Sequence, residues 1–188
     1  MTTVTIRQAT LSDLGVLKAI GRQTFKETFG DDNTAEDMEN YLQATFNVDV
    51  LHQSLQDPDV HYFLACIKDD VVGYIKLNEK DAQTEQGGDD SLEIHRLYVL
   101  SHYLGHGIGK QLMTQAIKFA RERQLNSLWL GVWEHNERAL GFYQSFGFQT
   151  FDHHVFTLGE DKQTDYLGCI IFGVGEGILS ETEIAHLK

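Results

Sequence analysis

Three glycines on alternate positions, Gly105, Gly107 and Gly109, stand directly before Lys110 and a run in which Leu112, Met113, Ala116, Ile117 and Ala120 recur at the three-and-four spacing of an amphipathic helix. The glycines therefore lie at a helix N-terminus, where first-turn amides have no intrahelical acceptor and the macrodipole places partial positive charge. An anion can dock there on the main chain, and glycine permits an approach that a Cβ would block. Ahead of this loop Leu92 and Ile94 alternate with Glu93 and His95 as in a strand, but beyond Arg96 the apolar positions become Leu97 and Val99. The parity flips, as one inserted residue near His95 or Arg96 would make it do, and that is the mark of a β-bulge.

The spacing separates three kinds of phosphate loop. A P-loop needs four residues between its first glycine and Gly-Lys, then Ser or Thr, whereas Gly105 is followed by His106, Gly107, Ile108, Gly109, Lys110 and Gln111. The dinucleotide fingerprint wants a third glycine where Lys110 stands. What remains resembles the pyrophosphate loop of the GNAT superfamily of acyl-CoA-dependent N-acetyltransferases, Arg or Gln, two residues, Gly, one residue, Gly or Ala, read from Leu104 through Gly107 to Gly109. Leu104 departs from the first position, but such a loop binds mainly through main-chain N–H groups. The superfamily pattern continues with an Asn and Ala-x-x-x-Tyr-x-x-x-Gly-Phe, met here by Asn136, Ala139, Tyr143, Gly147 and Phe148. The segments ETF, DAQTE, LWLGVWEHNERA and LGEDKQTDYL are further similar to spermidine/spermine N-acetyltransferases of the PaiA type.

The resemblance implies an enzyme that moves acetyl from acetyl-CoA to a primary amine, with polyamines as leading acceptors, in a ternary complex without a covalent enzyme intermediate. It implies strands that splay at the bulge to admit the pantetheine arm. Cofactor contacts are then expected from Leu97, Tyr98 and Val99, from Gly105, His106, Gly107, Ile108, Gly109 and Lys110, and from Asn136. Tyr143 is expected as the acid that protonates the leaving thiolate. An ammonium has no lone pair, so a base must strip the amine, and Glu93, with His95 as second choice, is the candidate. Glu27, Asp31 and Glu134 are candidates to hold a cationic amine. His102 and His106 flank the glycine loop and do not share a helix face, so no metal is expected. Two rivals are acetylation of a protein N-terminus or lysine, which an open groove would favour, and a regulatory fold that binds CoA with little turnover.

The elements that must position these groups follow from periodicity and caps. A strand over Thr3–Ala9 precedes a helix capped by Thr10 and a second capped by Thr34; a third covers Val48–Gln56. Strands over His61–Ile67 and Val71–Asn78 flank a hairpin turn, and a polar loop, read as solvated, leads to the central strand–loop–helix unit. The strand Ser127–Trp133, reached through a helix, should pair in parallel with the central strand. A helix from Asn136 to Gly147 and strands over Phe148–Leu158 and Thr164–Val174 complete an α+β domain, a GNAT-like mixed sheet flanked by helices over residues 1–174, with 175–188 as a tail.

Asp and Glu number 28 against 15 Lys and Arg, a net charge of −13 that argues against nucleic acid as a partner. From Glu27 to Ile67 there are nine acids and no Lys or Arg, and from Arg96 to Arg123 five Lys or Arg and one acid. An anionic cofactor is expected at the second stretch and a cationic substrate near the first. No run approaches a membrane span, MTTVTIRQAT has no signal-peptide character, and Cys66 and Cys169 read as buried free thiols. A cytoplasmic enzyme acting on a small-molecule amine is expected, with homodimerisation left open.

Overall fold

A computed structural model describes residues 3–85, 88–158 and 161–172. The strands are β1 (Val4–Gln8), β2 (Val60–Ile67), β3 (Asp70–Glu79), β4 (Ser91–Val99), β5 (Ser127–Trp133), β6 (Gln149–Leu158) and β7 (Asp161–Ile171). The helices are α1 (Leu14–Phe29), α2 (Ala35–Thr45), α3 (Val48–Gln56), α4 (Ile108–Glu122) and α5 (Glu137–Ser145). The sheet is seven-stranded and mixed, in the order β1-β2-β3-β4-β5-β7-β6. The last strand starts at Asp161, three residues before the expected Thr164, because its pairing with β6 continues to Leu158↔Asp161. The expected tail and the turn residues Gly159 and Glu160 lie outside the described residues.

By its contacts the chain forms two compact units, Met1–Asn78 with Arg96–Ala116, and Glu79–His95 with Ile117–Lys188. In the first, β1 and β3 each pair antiparallel with β2. The buried stripe of α1, Leu17, Ile20, Gly21, Thr24 and Phe25, follows helical periodicity. Leu17 and Ile20 pack with Tyr62, Leu64, Cys66 and Tyr74. Phe25 packs with Met38, Leu42, Phe46 and Leu51. Gly21 is needed for that second cluster, since a Cβ there would lie 2.2 Å from the Phe46 ring. On α4 the apolar residues named from the sequence are all buried, Leu112, Met113, Ala116 and Ala120 completely.

In the second unit β4 pairs in parallel with β5, as expected, from Ser91↔Ser127 to Ile94↔Leu130. The pairing stops there although β4 continues to Val99 and β5 to Trp133, so the ladder ends where the sequence parity breaks. The polar stretch from Glu79 to Ser91 is largely exposed, as read from the sequence, but it is anchored at several points. Glu79 is 3% exposed and pairs with Arg123 (3.1 Å), and Asn126 bonds the main chain and side chain of Asp90. The Gln83 amide donates to the carbonyls of Lys80 and Gly88 and accepts from Ser91 Oγ (2.9 Å) and Trp129 Nε1 (2.6 Å). Cys66 and Cys169 are free thiols, the first buried and the second half-buried.

The entry into α1 is fixed by an ion pair. Arg7 donates both Nη groups to Asp13 (2.6 and 2.9 Å), and Asp13 Oδ2 also accepts the Thr10 N–H (2.8 Å). The Arg7 bond, opposed by burial and helped by Thr10, lowers the Asp13 carboxyl from 3.8 to about 2. A depressed carboxyl contributes stability above its unfolded pKa that is lost as pH falls through the folded one. Asp13→Asn should therefore cost about 1–2 kcal/mol at pH 7, the half-exposed Arg7 reducing the ideal value. The variant should also lose the part of the acid destabilisation that falls between roughly pH 4 and pH 2. Urea midpoints at pH 7 and pH 3 check both.

Candidate active site

The glycine loop opens α4 as the spacing predicts. Gly105 and Gly107 have φ of 84° and 77°, the left-handed region that glycine enters without strain. The Gly107 carbonyl accepts the Gln111 N–H (3.1 Å), so the amides of Ile108 and Gly109 precede the first intrahelical bond. No atom lies within 4 Å of a Cβ built on Gly105 or Gly107, and no acid stands in the first turn of α4. Donor groups at a positive helix end, with space in front of them, suit a diphosphate. Ile108 is 1% exposed and anchors this end; Lys110 is half-buried and its carbonyl accepts the Thr114 hydroxyl. Leu104 and His106 are exposed, with His106 Nδ1 3.2 Å from the Leu104 carbonyl.

In the same unit Leu97, Tyr98 and Val99 are half-buried at the end of β4. Gly73 on β3 lets this strand come close, because a Cβ there would lie 3.0 Å from the Tyr98 carbonyl and 3.4 Å from Ile108. The Tyr98 ring meets Phe25, Phe29 and Tyr74 at centroid distances of 6.4, 6.5 and 6.1 Å. Of the expected amine-binding acids, Glu27 is committed: Oε2 accepts the Ser101 N–H (2.8 Å) and Oε1 the Gln23 amide (2.9 Å). Asp31 is exposed on a short turn after α1.

The second unit holds the proton-transfer candidates. Glu93 is 2% exposed; its Oε2 accepts the Thr84 N–H (2.9 Å) and its Oε1 the Thr84 hydroxyl. Nothing in the residue pattern pairs Thr84 with Glu93, since the bond depends on how the DAQTE loop folds. His95 is half-buried on the following outward position. Asn136 caps α5, its Oδ1 accepting the Ala139 N–H (3.1 Å), which leaves its amide group to donate elsewhere. The Glu134 amide bonds the Thr164 carbonyl (2.9 Å), and its carboxylate lies 3.8 Å from His135 Nε2.

The Tyr-x-x-x-Gly-Phe spacing has a physical reason. Gly147 (φ 87°) ends α5 in a Schellman motif, with Phe148 N–H bonded to the Tyr143 carbonyl (3.2 Å) and Gly147 N–H to the Gln144 carbonyl (2.9 Å). The turn brings the Phe148 ring to 5.7 Å from the Tyr143 ring, and the Phe142 ring lies 5.4 Å from it. Glycine and Phe thus hold the tyrosine in one orientation. Burial pushes the Tyr143 hydroxyl above the ordinary phenol value, keeping its proton in place at neutral pH. No group of His, Cys, Asp and Glu suited to a metal occurs among the described residues.

The family model described as the acetyltransferase (GNAT) family matches residues 22–148, a span that includes both the glycine loop and the Tyr143 helix. The chain belongs to the GNAT acetyltransferases. As a member it is an acetyl-CoA-dependent acyltransferase. A Lactobacillus delbrueckii subsp. lactis protein described as an uncharacterised N-acetyltransferase is 44% identical over 167 residues, covering 89% of this chain and 96% of that one. A spermidine N(1)-acetyltransferase of Thermoplasma acidophilum is 24% identical, covering 79% and 90%. Among solved structures, the PaiA N-acetyltransferase of Thermoplasma acidophilum in complex with coenzyme A is similar with a TM-score of 0.71 at 23% identity, over 87% of this chain and 98% of that one, which speaks for the fold. No described helix is long and apolar enough to cross a membrane.

Gly107→Ala should force a side chain into a left-handed backbone and into the space before the amides. Its affinity for coenzyme A should fall about tenfold or more, roughly the 1–2 kcal/mol of left-handed strain, with the folded far-ultraviolet spectrum retained. Calorimetric titration of wild type and variant with coenzyme A measures this.

Proposed function

We propose that this GNAT enzyme transfers acetyl from acetyl-CoA directly to the primary amine of a small molecule. The observation that carries the proposal is the glycine-headed α4, whose leading amides suit the diphosphate of the donor, within a span that matches the family. In this reading the neutral amine attacks the thioester carbonyl, and the Leu97 N–H, beyond the end of the β4–β5 ladder, donates to the developing oxyanion. The C–S bond breaks and the departing sulfur takes the proton of the Tyr143 hydroxyl. The proton of the attacking nitrogen passes to a base. Glu93 is 2% exposed and both its oxygens accept Thr84 donors, so the half-buried His95 has the stronger claim; a water bridge to Glu93 is the variant of the same step.

A polyamine as acceptor is the finer form of this proposal. It is supported by the name of the Thermoplasma spermidine N(1)-acetyltransferase and by the acid-rich stretch from Glu27 to Asp59. Because Glu27 is spent on Ser101 and Gln23, the remaining support on that side is the exposed Asp31 and its neighbours.

Thiol release from acetyl-CoA should depend on added primary amine, and Tyr143→Phe should lower kcat about 100-fold while leaving acetyl-CoA affinity within a factor of two. Since the Tyr143 phenol sits above its ordinary range, wild-type kcat should show no alkaline loss from this group up to pH 9. Spermidine and spermine turnover should weaken with salt, because a multiply charged acceptor is screened. A protein that binds acetyl-CoA but releases no thiol with any amine would be a binding module instead.

A further inference from the structure

Arg96 lies on the inner part of β4 and its guanidinium is held by aromatic side chains of the first unit. Nη2 donates to the Tyr41 hydroxyl (3.2 Å), and Cζ lies 4.7 Å from the centroid of Phe46. Nη1 is buried and has no hydrogen-bond partner, and the fully buried Tyr74 hydroxyl has none either. The two attract each other electrostatically without meeting hydrogen-bond geometry; burial takes the Tyr74 phenol up to about 12 even so. Burial opposes the Arg96 charge, but the oxygens of Tyr74, Tyr41, Tyr98 and Tyr62 more than offset this. Among the described residues no carboxylate pairs with it.

Several acids of the first unit are committed elsewhere. Asp13 holds Arg7, Glu39 holds Arg22 and Lys26, Asp37 holds Thr34, and Glu27 holds Ser101. A buried N–H donor without an acceptor calls for an explanation. The planar fork of Arg matches a carboxylate, and Nη1 is the arm of that fork to which the described residues give no acceptor. Arg96 also directly precedes Leu97, to which the proposed mechanism gives the thioester. Tyr98, Phe29 and Tyr41, all half-buried, form the accessible rim of the same cluster.

We infer that Arg96 Nη1, with the hydroxyls of Tyr74 and Tyr41, receives a carboxylate carried by the acceptor, so that the substrate class is an amine bearing a nearby acid group, as in an amino acid. The inference rests on the acetyl-transfer proposal and gives it an acceptor that competes with the polyamine form. It separates the acceptor from a polyamine, which would bring an ammonium toward the guanidinium. The carboxylate end and the transferred acetyl are both assigned to the second half of β4. The apolar body would lie against Phe29 and Tyr98.

Matched pairs test this without knowledge of the natural substrate: phenylalanine against 2-phenylethylamine, and 4-aminobutyrate against propylamine, with spermidine as the polycation. In wild type the carboxylate member of at least one pair should have a kcat/KM about tenfold higher, the effect of one charged hydrogen bond. Arg96→Gln should bring that ratio near one, and Tyr74→Phe, which keeps the ring, should lower it severalfold. Equal rates within both pairs, preference for the decarboxylated members or for spermidine, or a preference that persists in Arg96→Gln would overturn the inference. If Arg96→Gln does not fold, the wild-type ratio and Tyr74→Phe decide. A binding measurement separates the two readings: CoA-loaded protein is titrated calorimetrically with N-acetylphenylalanine and N-acetyl-2-phenylethylamine. Preferential binding of the acid with no turnover of any amine would support the anion site and remove the acetyl-transfer proposal. Turnover without either preference would do the reverse, and neither binding nor turnover of a carboxylate probe would remove the site.

Discussion

Parallel pairing between β4 and β5 lasts four residues and then ends, and the chemistry proposed for this enzyme depends on that ending. A peptide N–H in a sheet is normally spent on its neighbour. Beyond Ile94 the strand β4 no longer has β5 as a partner, and the residues that follow, Arg96 to Val99, are half-buried, in contrast to the buried Ser91 to Ile94. The first half of the strand is thus buried and held by β5, and the second half is partly exposed and released from β5 on that edge. Gly73 supports this half by allowing close main-chain approach, and Ile108 ties it to the start of α4.

Much of the frame could be read from the sequence because it rests on local rules. The glycines before α4 and after α5 encode left-handed backbone, which few other residues adopt, so Gly107 and Gly147 mark a helix start and a helix stop wherever they occur. The caps at Thr34, Asn47 and Asn136 are similarly local, each accepting an amide three residues on. The position of β7 between β5 and β6 was not legible, since strand order depends on long-range packing. The site was less legible than the frame for the same reason. Arg96 meets Tyr41 across 55 residues and Gln83 meets Trp129 across 46, and no periodicity reports such pairs. Polar residues in DAQTE read as solvated, and most are exposed, but polarity alone does not reveal that Gln83 finds four partners and that Thr84 makes two bonds to Glu93.

The acid-rich first third illustrates how surface charge and interior chemistry can carry opposite signs. Nine acids between Glu27 and Ile67 suggest a cationic ligand, yet the described contacts there are helix caps, ion pairs and a loop bond, and the charged group turned toward the aromatic cluster is an arginine. Net charge governs solubility and long-range attraction, while recognition is decided by the few groups removed from water. The alternating sequence of β4 shows the same separation, because Glu93, polar and outward by parity, is as buried as its apolar neighbours once Thr84 covers it.

The boundary between the two compact units falls inside β4, between His95 and Arg96. The aromatic residues and guanidinium belong to one, whereas Tyr143, with the Phe148 and Gly147 that orient it, belongs to the other. On the proposed roles, changes in α1, α2 and β3 would bear on the choice of acceptor and changes in α5 on the leaving group. A lineage built this way can diversify by exchanging one half of its catalogue of contacts while inheriting the other, and β4 is the seam along which such descent would run.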